Sequence, residues 1–92
     1  MIVSIAHKGL RRLFLEGSKA GISPHHAERL LLILARLNTA ASLEDVRFPG
    51  SGLHPLRGNL RGYWAVTVSG NWRVTFRFEN GDVFDVDYLD YH

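Results

Sequence analysis

The sequence predicts an α+β fold in which two N-terminal helices pack on one face of a mainly antiparallel, twisted sheet. Two observations carry this prediction. Segments with the helical spacing of apolar residues come first, and segments with the alternation of strands, separated by glycine-containing turns, come later. The length of 92 residues and the hydrophobic fraction of 46% are typical of a globular chain. No linker or repeat divides the chain, so we predict a single domain over residues 1–92.

The first half of the chain predicts a short strand and two helices. The strand covers Met1–Ala6, and a helix follows over His7–Glu16. Ser23 and Pro24 form a good start for a second helix, which we expect to run to about Ala41. Its apolar face is wide enough to predict packing on more than one side. The predicted buried stripe is Ala27, Leu30, Leu31, Leu34 and Leu37, widened by Leu32 and Ile33.

Three strands are predicted in the second half, over 63–68, 72–78 and 83–91. Alternate residues in each strand are apolar, and this face takes the helices. Trp64 and Trp72 alternate with the apolar set, so we interpret them as core residues. The opposite face is expected to stay open, and it carries Arg73, Thr75, Arg77 and Tyr91.

The last hairpin is predicted to contain a bulge. A two-residue turn at Asn80–Gly81 would place core residues opposite aspartates, which a half-buried sheet does not tolerate. A longer turn with Gly81 in a bulge avoids this conflict. It pairs Phe76 with Phe84 and Val74 with Val86.

Charge is distributed unevenly along the chain, although the net charge is only +2. Residues 47–78 contain five arginines and no carboxylate, whereas residues 79–92 contain five carboxylates and no lysine or arginine. Arginine is suited to bidentate phosphate contact and to stacking on bases, so the first block suggests a partner that carries phosphate. Cross-strand pairing with the acidic block is the alternative interpretation. The five arginines are Arg47, Arg57, Arg61, Arg73 and Arg77.

Two histidines and a tyrosine are candidates for chemistry beside these arginines. His54 lies in a predicted loop, and Tyr91 precedes His92 in the closing run. If the loop folds over the open face, these groups converge with arginine in a set that suits cleavage of RNA without a metal. Histidine acts as base or acid near neutral pH, and arginine stabilises the phosphorane. The alternative is that both histidines are solvated and have no catalytic role.

Nucleotide hydrolysis and metal-dependent nuclease chemistry are disfavoured. The chain has no cysteine, no glycine-rich phosphate loop and no carboxylate cluster for Mg²⁺, so no metal and no cofactor is expected. His25 and His26 are adjacent, which makes them a poor metal pair, and we predict that both are exposed. No signal peptide or membrane span is recognised, which predicts a cytoplasmic protein without membrane contact.

Four motifs carry a resemblance to a known family. They occur in the same order as in that family and are specific in combination: 53–58 (LHPLRG), 62–64 (GYW), 71–76 (NWRVTF) and 90–92 (DYH). Over nearly its whole length the chain resembles the HigB-type toxins of the RelE/ParE superfamily. The resemblance implies the RelE-like microbial RNase fold and the toxin role in a type II toxin–antitoxin system. It further implies a ribosome-dependent, metal-independent endoribonuclease that cleaves mRNA in the decoding site, and a HigA-like antitoxin with a helix-turn-helix domain.

The resemblance also implies roles for individual residues. His54 and His92 would be the general acid–base pair, Arg73 would stabilise charge at the cleaved phosphate, and Tyr91 would position the reacting groups. The RNA-binding candidates include Arg57, which replaces a lysine common in relatives and would contact the mRNA backbone, and Asn71, which would contact a base of the codon. The further RNA-binding candidates are Arg61 and Arg77 of the arginine block.

Three other functions compete with this one. A ParE-like inhibitor of DNA gyrase would not need His54 and His92. A non-catalytic protein that binds RNA or the ribosome would keep the arginines but would still arrest growth after His54→Ala and His92→Ala. If the chain is an interaction protein that docks a partner on the open face, loss of Arg73 would weaken complex formation without affecting RNA.

Overall fold

The computed structural model describes residues 1–91 and confirms the α+β class. Two helices, α1 (Lys8–Glu16) and α2 (Ala27–Thr39), precede a four-stranded antiparallel sheet. The strands are β1 (His54–Pro55), β2 (Tyr63–Ser69), β3 (Trp72–Glu79) and β4 (Asp82–Asp90), and they pair in that order. Short 3₁₀ turns occupy Pro24–His26, Leu43–Val46 and Gly58–Leu60. No helix within residues 1–91 is long and apolar enough to cross a membrane.

Local chemistry fixes both ends of α1. At its start, His7 Nδ1 accepts a hydrogen bond from the Leu10 N–H at 3.0 Å, which satisfies a free helix donor. At its end, Gly17 takes the left-handed conformation with φ 72°. Gly9 lies so close to the loop before α2 that a Cβ there would come within 2.2 Å of the Gly21 carbonyl oxygen. Glycine at position 9 therefore permits the first turn of α1 to contact this loop.

The core lies between the helices and one face of the sheet. Helix α2 buries a narrower stripe than the sequence predicts: Leu31 and Leu32 are 43% and 41% exposed, whereas Ile33 is fully buried. The prediction of packing on more than one side was wrong, because α2 is an outer layer that contacts the rest of the fold with one face only. The buried members of α2 are Ala27, Leu30, Ile33, Leu34 and Leu37.

His26 is buried at 9% exposure, and its predicted exposure was wrong. The 3₁₀ turn before α2 directs its ring inward, where Nδ1 lies 2.5 Å from the Tyr88 hydroxyl. Trp72 stacks on Tyr88 with ring centroids 4.6 Å apart; it is half-buried and packs against the core, on the face that the sequence predicts. Burial raises the pKa of the Tyr88 hydroxyl above its ordinary value, a hydrogen bond to the Ser23 backbone opposes this change, and the charge of Asp90 adds to it.

The last hairpin contains a bulge, but at a different place from the predicted one. Asn80 and Gly81 form a tight two-residue turn with φ of 50° and 84°, and Glu79 pairs directly with Asp82. The extra residue lies further along β4, near Asp85, which has φ 55°. The predicted register was therefore wrong.

This bulge determines which side chains of β4 face the core. Before it, Phe84 pairs with Arg77, so Phe84 lies on the face away from the helices, contrary to the prediction. After it, Val74 pairs with Tyr88 instead of Val86. The bulge nevertheless solves the conflict that motivated the prediction, since Val83, Val86 and Tyr88 are all buried.

The N-terminal segment runs parallel to β4 but does not form the predicted continuous strand. It makes two isolated bridges, from Ile2 to Val83 and from Ile5 to Val86. Between them, the Ser4 hydroxyl accepts a hydrogen bond from the Asp85 N–H at 2.8 Å. The bulge in β4 interrupts the ladder, and a side chain takes the place of the missing backbone contact.

Candidate active site

The register of the sheet brings three of the predicted catalytic residues onto one face. We call the face that points away from the helices the outer face. His54 pairs with Ala65, and Ala65 pairs with Thr75, so all three share this face. Arg73 is two residues before Thr75 in β3, and Tyr91 is two residues after the partner of Arg73 in β4. His92 lies outside the described residues.

These side chains share a face, but they form no hydrogen bond, ion pair or ring contact with one another within residues 1–91. Strands lie about 4.8 Å apart and rise about 3.4 Å per residue, which places the Cα atoms of His54 and Arg73 about 12 Å apart. Arg73 and Tyr91 are diagonal neighbours, about 7–8 Å apart and within reach of long side chains. A substrate that contacts all three must therefore lie across several strands.

The loop between β1 and β2 lies against the outer face, which is the condition under which the sequence predicts that His54 approaches the arginines. The Leu56 N–H donates to the Tyr63 carbonyl at 2.9 Å and closes the loop. Leu60, near its tip, lines a groove together with Thr75 and Asp87 of the outer face. The loop therefore carries its two arginines, 57 and 61, to the edge of the candidate site.

His54 is exposed, and its ring is oriented by the backbone. Nδ1 lies 3.0 Å from the Gly52 carbonyl oxygen. A carbonyl only accepts hydrogen bonds, so Nδ1 carries the proton and the neutral ring keeps a free lone pair on Nε2. An exposed Nε2 with a lone pair is suited to accept a proton from a substrate.

Backbone contacts hold Arg73 and the residues around it at the turn between β2 and β3. The Arg73 guanidinium donates to the carbonyl oxygens of Gly70 at 2.6 Å and Trp72 at 3.0 Å. The Tyr91 N–H donates to the Asn71 carbonyl at 2.8 Å. Asn71 is exposed at this turn, so Arg73, Tyr91 and Asn71 form one cluster at the start of β3.

Arg77 differs from the other candidates because it lies in a carboxylate network. It forms an ion pair with Glu79, its Nε lies 3.6 Å from Asp85, and its guanidinium stacks on Phe84 at 4.6 Å. Desolvation lowers the pKa of Arg77, but the hydrogen bond and charge of Glu79, together with contributions from Tyr63 and Asp85, leave that pKa above its ordinary value. RNA contact by Arg77 stays a prediction, and it would compete with these two carboxylates.

The other arginines of the block do not pair with the acidic residues of 79–91. Arg47 pairs with Glu44 in the preceding turn, 3.1 Å away, and not with the acidic block. Within residues 1–91, no carboxylate forms an ion pair with Arg57, Arg61 or Arg73. Pairing with the acidic block thus explains Arg77 alone, and three cations on or beside the outer face remain available to an anion.

One feature of the outer face was missed by the sequence analysis. A groove of about 280 Å³ lies beside Arg73, and it contains two polar side chains, Thr75 and Asp87, for which no role was predicted. Alternation along β3 assigns Thr75 to the outer face. Its pairing with Asp87 follows the bulge in β4, so it cannot be deduced from strict alternation. The full lining is Ala6, Leu60, Tyr63, Thr75, Asp85, Asp87 and Leu89.

Residues 1–91 contain no group of three or more histidine, aspartate or glutamate side chains arranged to hold a metal ion. The outer face carries acid–base and cationic groups, which include His54, Tyr91 and Arg73. They match the needs of phosphodiester cleavage through the ribose 2′-hydroxyl: a proton acceptor, a proton donor and fixed positive charge.

Comparison with known proteins agrees with this chemistry. The family model described as RelE-like toxin of type II toxin-antitoxin system HigB matches residues 3–92. The chain is 41% identical over 92 residues to the Endoribonuclease HigB of Proteus vulgaris, with 100% of both chains covered. It is 28% identical over 94 positions to Toxin HigB-1 of Vibrio cholerae serotype O1, with 100% of this chain and 98% of that protein covered. The chain therefore belongs to the HigB family of RelE-like toxins of type II toxin–antitoxin systems.

Proposed function

We propose that this toxin is a ribosome-dependent, metal-independent endoribonuclease that cleaves mRNA in the decoding site and thereby stops translation. The observation that carries the proposal is the outer face, where His54, Arg73 and Tyr91 share one surface with arginines that have no carboxylate partner within residues 1–91. The likeness to an endoribonuclease across the full length supports the same conclusion.

The proposed reaction uses the RNA's own 2′-hydroxyl as nucleophile. One histidine of the pair His54 and His92 takes the 2′-hydroxyl proton, and the oxygen attacks the adjacent phosphorus. The other histidine protonates the 5′-oxygen as its bond to phosphorus breaks. The products are a 2′,3′-cyclic phosphate and a new 5′-hydroxyl end. Arg73 stabilises the extra negative charge of the phosphorane, and Tyr91 positions the reacting groups beside it.

The RNA is held by the loop and the turn that border this face. Arg57 and Arg61 are exposed on the loop between β1 and β2, and they contact the phosphate backbone. Asn71 is exposed at the turn beside Arg73, and its amide can donate to and accept from a base edge. The backbone contacts supply affinity without sequence information, whereas the amide contributes to codon choice.

The ribosome and an antitoxin complete the proposal. The outer face is shallow, so we infer that the ribosome supplies the orientation of the mRNA that a deep pocket would otherwise provide. Membership of a type II toxin–antitoxin family implies an antitoxin partner and an RNA substrate. We propose that the antitoxin is HigA-like, with a helix-turn-helix domain, and that the toxin acts in the cytoplasm.

The chemistry of the cut ends tests the proposed reaction. Purified toxin, added to ribosomes that carry a defined mRNA, is expected to leave a cyclic phosphate and a 5′-hydroxyl end. Substitution of 2′-deoxyribose at the nucleotide before the cut is expected to abolish cleavage, because the nucleophile is then missing. Cleavage of the deoxy-substituted message, or a 5′-phosphate end, would contradict the mechanism, and equal cutting of free RNA would contradict ribosome dependence.

A further inference from the structure

The groove on the outer face has the composition of a nucleobase site. Its walls are apolar or aromatic, from Leu60, Tyr63 and Leu89, and its polar groups include Thr75 and Asp87. A volume of about 280 Å³ lies near the lower end of the range of about 300–1,000 Å³ for small-molecule sites. The groove therefore has the size for one ring system and not for a longer stretch of RNA.

Thr75 is the observation that points to a ligand. It is 4% exposed, and its hydroxyl makes no hydrogen bond to another group in the described part of the chain. No enclosed side-chain oxygen among residues 1–91 lacks a partner, so this hydroxyl is not sealed in the core but opens to the groove that Thr75 lines. A polar group that enters the groove can therefore supply its hydrogen bond.

The two aspartates of the groove have different roles. Asp85 accepts from the Tyr63 hydroxyl at 3.1 Å and lies near Arg77, so its charge is already compensated. Asp87 accepts from the Tyr88 N–H at 2.9 Å through Oδ1, which leaves Oδ2 free to accept from a ligand. Two carboxylates repel phosphate, so the part of an RNA that enters here is a base and not the backbone.

The groove is placed to receive a base next to the cleaved phosphate. Leu89, one of its walls, pairs directly with Arg73, at a Cα separation of about 5 Å. Thr75, at its floor, lies in the same row across the sheet as His54. A nucleotide with its phosphate at Arg73 can therefore direct its base into the groove.

We propose that the groove binds one nucleobase of the mRNA adjacent to the cut and that Thr75 and Asp87 select a base with an exocyclic amino group. This inference rests on the proposed endoribonuclease function. A carboxylate only accepts hydrogen bonds, so it pairs with the amino group of adenine, guanine or cytosine. It disfavours uracil, because two carbonyl acceptors flank the single N–H of that base.

Replacement of Asp87 by asparagine tests this proposal. The amide keeps the acceptor that binds the Tyr88 N–H but presents a donor to the groove, which suits a uracil carbonyl. Toxin is added to ribosomes that carry messages differing in one base at the nucleotides flanking the cut, and the ratio of cleavage rates is measured. We expect the wild type to prefer amino-bearing bases over uracil about tenfold at one position, and Asp87→Asn to lose that preference.

Matched variants separate selection from folding. The ratio is measured within each variant, so it does not depend on the amount of folded protein. Thr75→Val, which removes the hydroxyl at constant shape, is expected to reduce the ratio, whereas Thr75→Ser is expected to keep it. Glu28→Gln, an exposed neutralisation on α2, is the charge control and should behave as wild type.

Each outcome decides the proposal. Unchanged ratios in Asp87→Asn and Thr75→Val would overturn the base site and leave the endoribonuclease function intact. A wild type without discrimination against uracil at either flanking position would also overturn it, as would an Asp87→Asn protein that cleaves no message. A wild type that cleaves no message at all would overturn the endoribonuclease function itself.

Discussion

Replacement of Arg73 by alanine is expected to reduce the rate of mRNA cleavage by a factor of about 10²–10³, the usual effect of losing one preorganised group that stabilises transition-state charge. The guanidinium has no carboxylate partner among residues 1–91 and is held by two carbonyl oxygens, so its charge is oriented but not neutralised. The measurement is the single-turnover rate on ribosomes that carry a defined message.

Arg47→Ala is the matched control for this variant. Arg47 belongs to the same arginine block, but it is exposed and paired with Glu44 in the turn after α2. Its loss removes the same charge from the protein without touching the outer face, so cleavage should stay within about twofold of wild type. Equal loss of activity in both variants would mean that net charge, and not the position of Arg73, drives the reaction.

The second large effect concerns stability and tests the observed register of the last hairpin. Phe76 is completely buried, and Phe76→Ala is expected to lower the free energy of unfolding by about 3–5 kcal/mol. A loss of this size removes a large part of the stability of a small domain, which is typically about 5–15 kcal/mol. Urea unfolding followed by circular dichroism measures both the midpoint and the slope.

Phe84→Ala is the informative comparison. The predicted register pairs Phe84 with Phe76 in the core, whereas the structure places it on the outer face beneath Arg77. Phe84 is only half-buried, and a stacking contact of this kind contributes about 0.5–1 kcal/mol, so the variant should lose less stability than Phe76→Ala. Equal destabilisation by the two substitutions would contradict the observed bulge and favour the register that the sequence predicts.

Alternation and turn signals in the sequence were sufficient to predict the layers of the fold. The helix-covered face, the two consecutive hairpins and the position of Trp72 against the core followed from them and were confirmed. The edge strand β1, in contrast, lies in a segment that the sequence predicts as a loop. The position of the bulge near Asp85 was not predictable, because a bulge depends on a backbone conformation that aspartate tolerates but does not require. The predictions for Leu31 and His26 failed for a related reason, because burial depends on which neighbours lie against a helix.

The positions of single residues in the candidate site were predictable from strand alternation, but the groove between them was not. Strict alternation in β3 places Arg73 on the open face, and the register of the sheet places His54 there as well. The groove was not predictable, because its polar members, Thr75 and Asp87, come together only through a pairing that follows the bulge. Residues that are far apart in sequence and ordinary in type carry no signal until the register is known.

The most direct test of the central claim is a map of mRNA 5′ ends after brief induction of the toxin in cells. A reporter message is compared with a copy whose start codon is removed, and wild type is run beside Arg73→Ala, His54→Ala and Arg47→Ala. The account predicts in-frame cuts that require translation, persist in Arg47→Ala and disappear in the other two variants. Growth arrest without such cuts, or cuts that persist in the untranslated message, would contradict it.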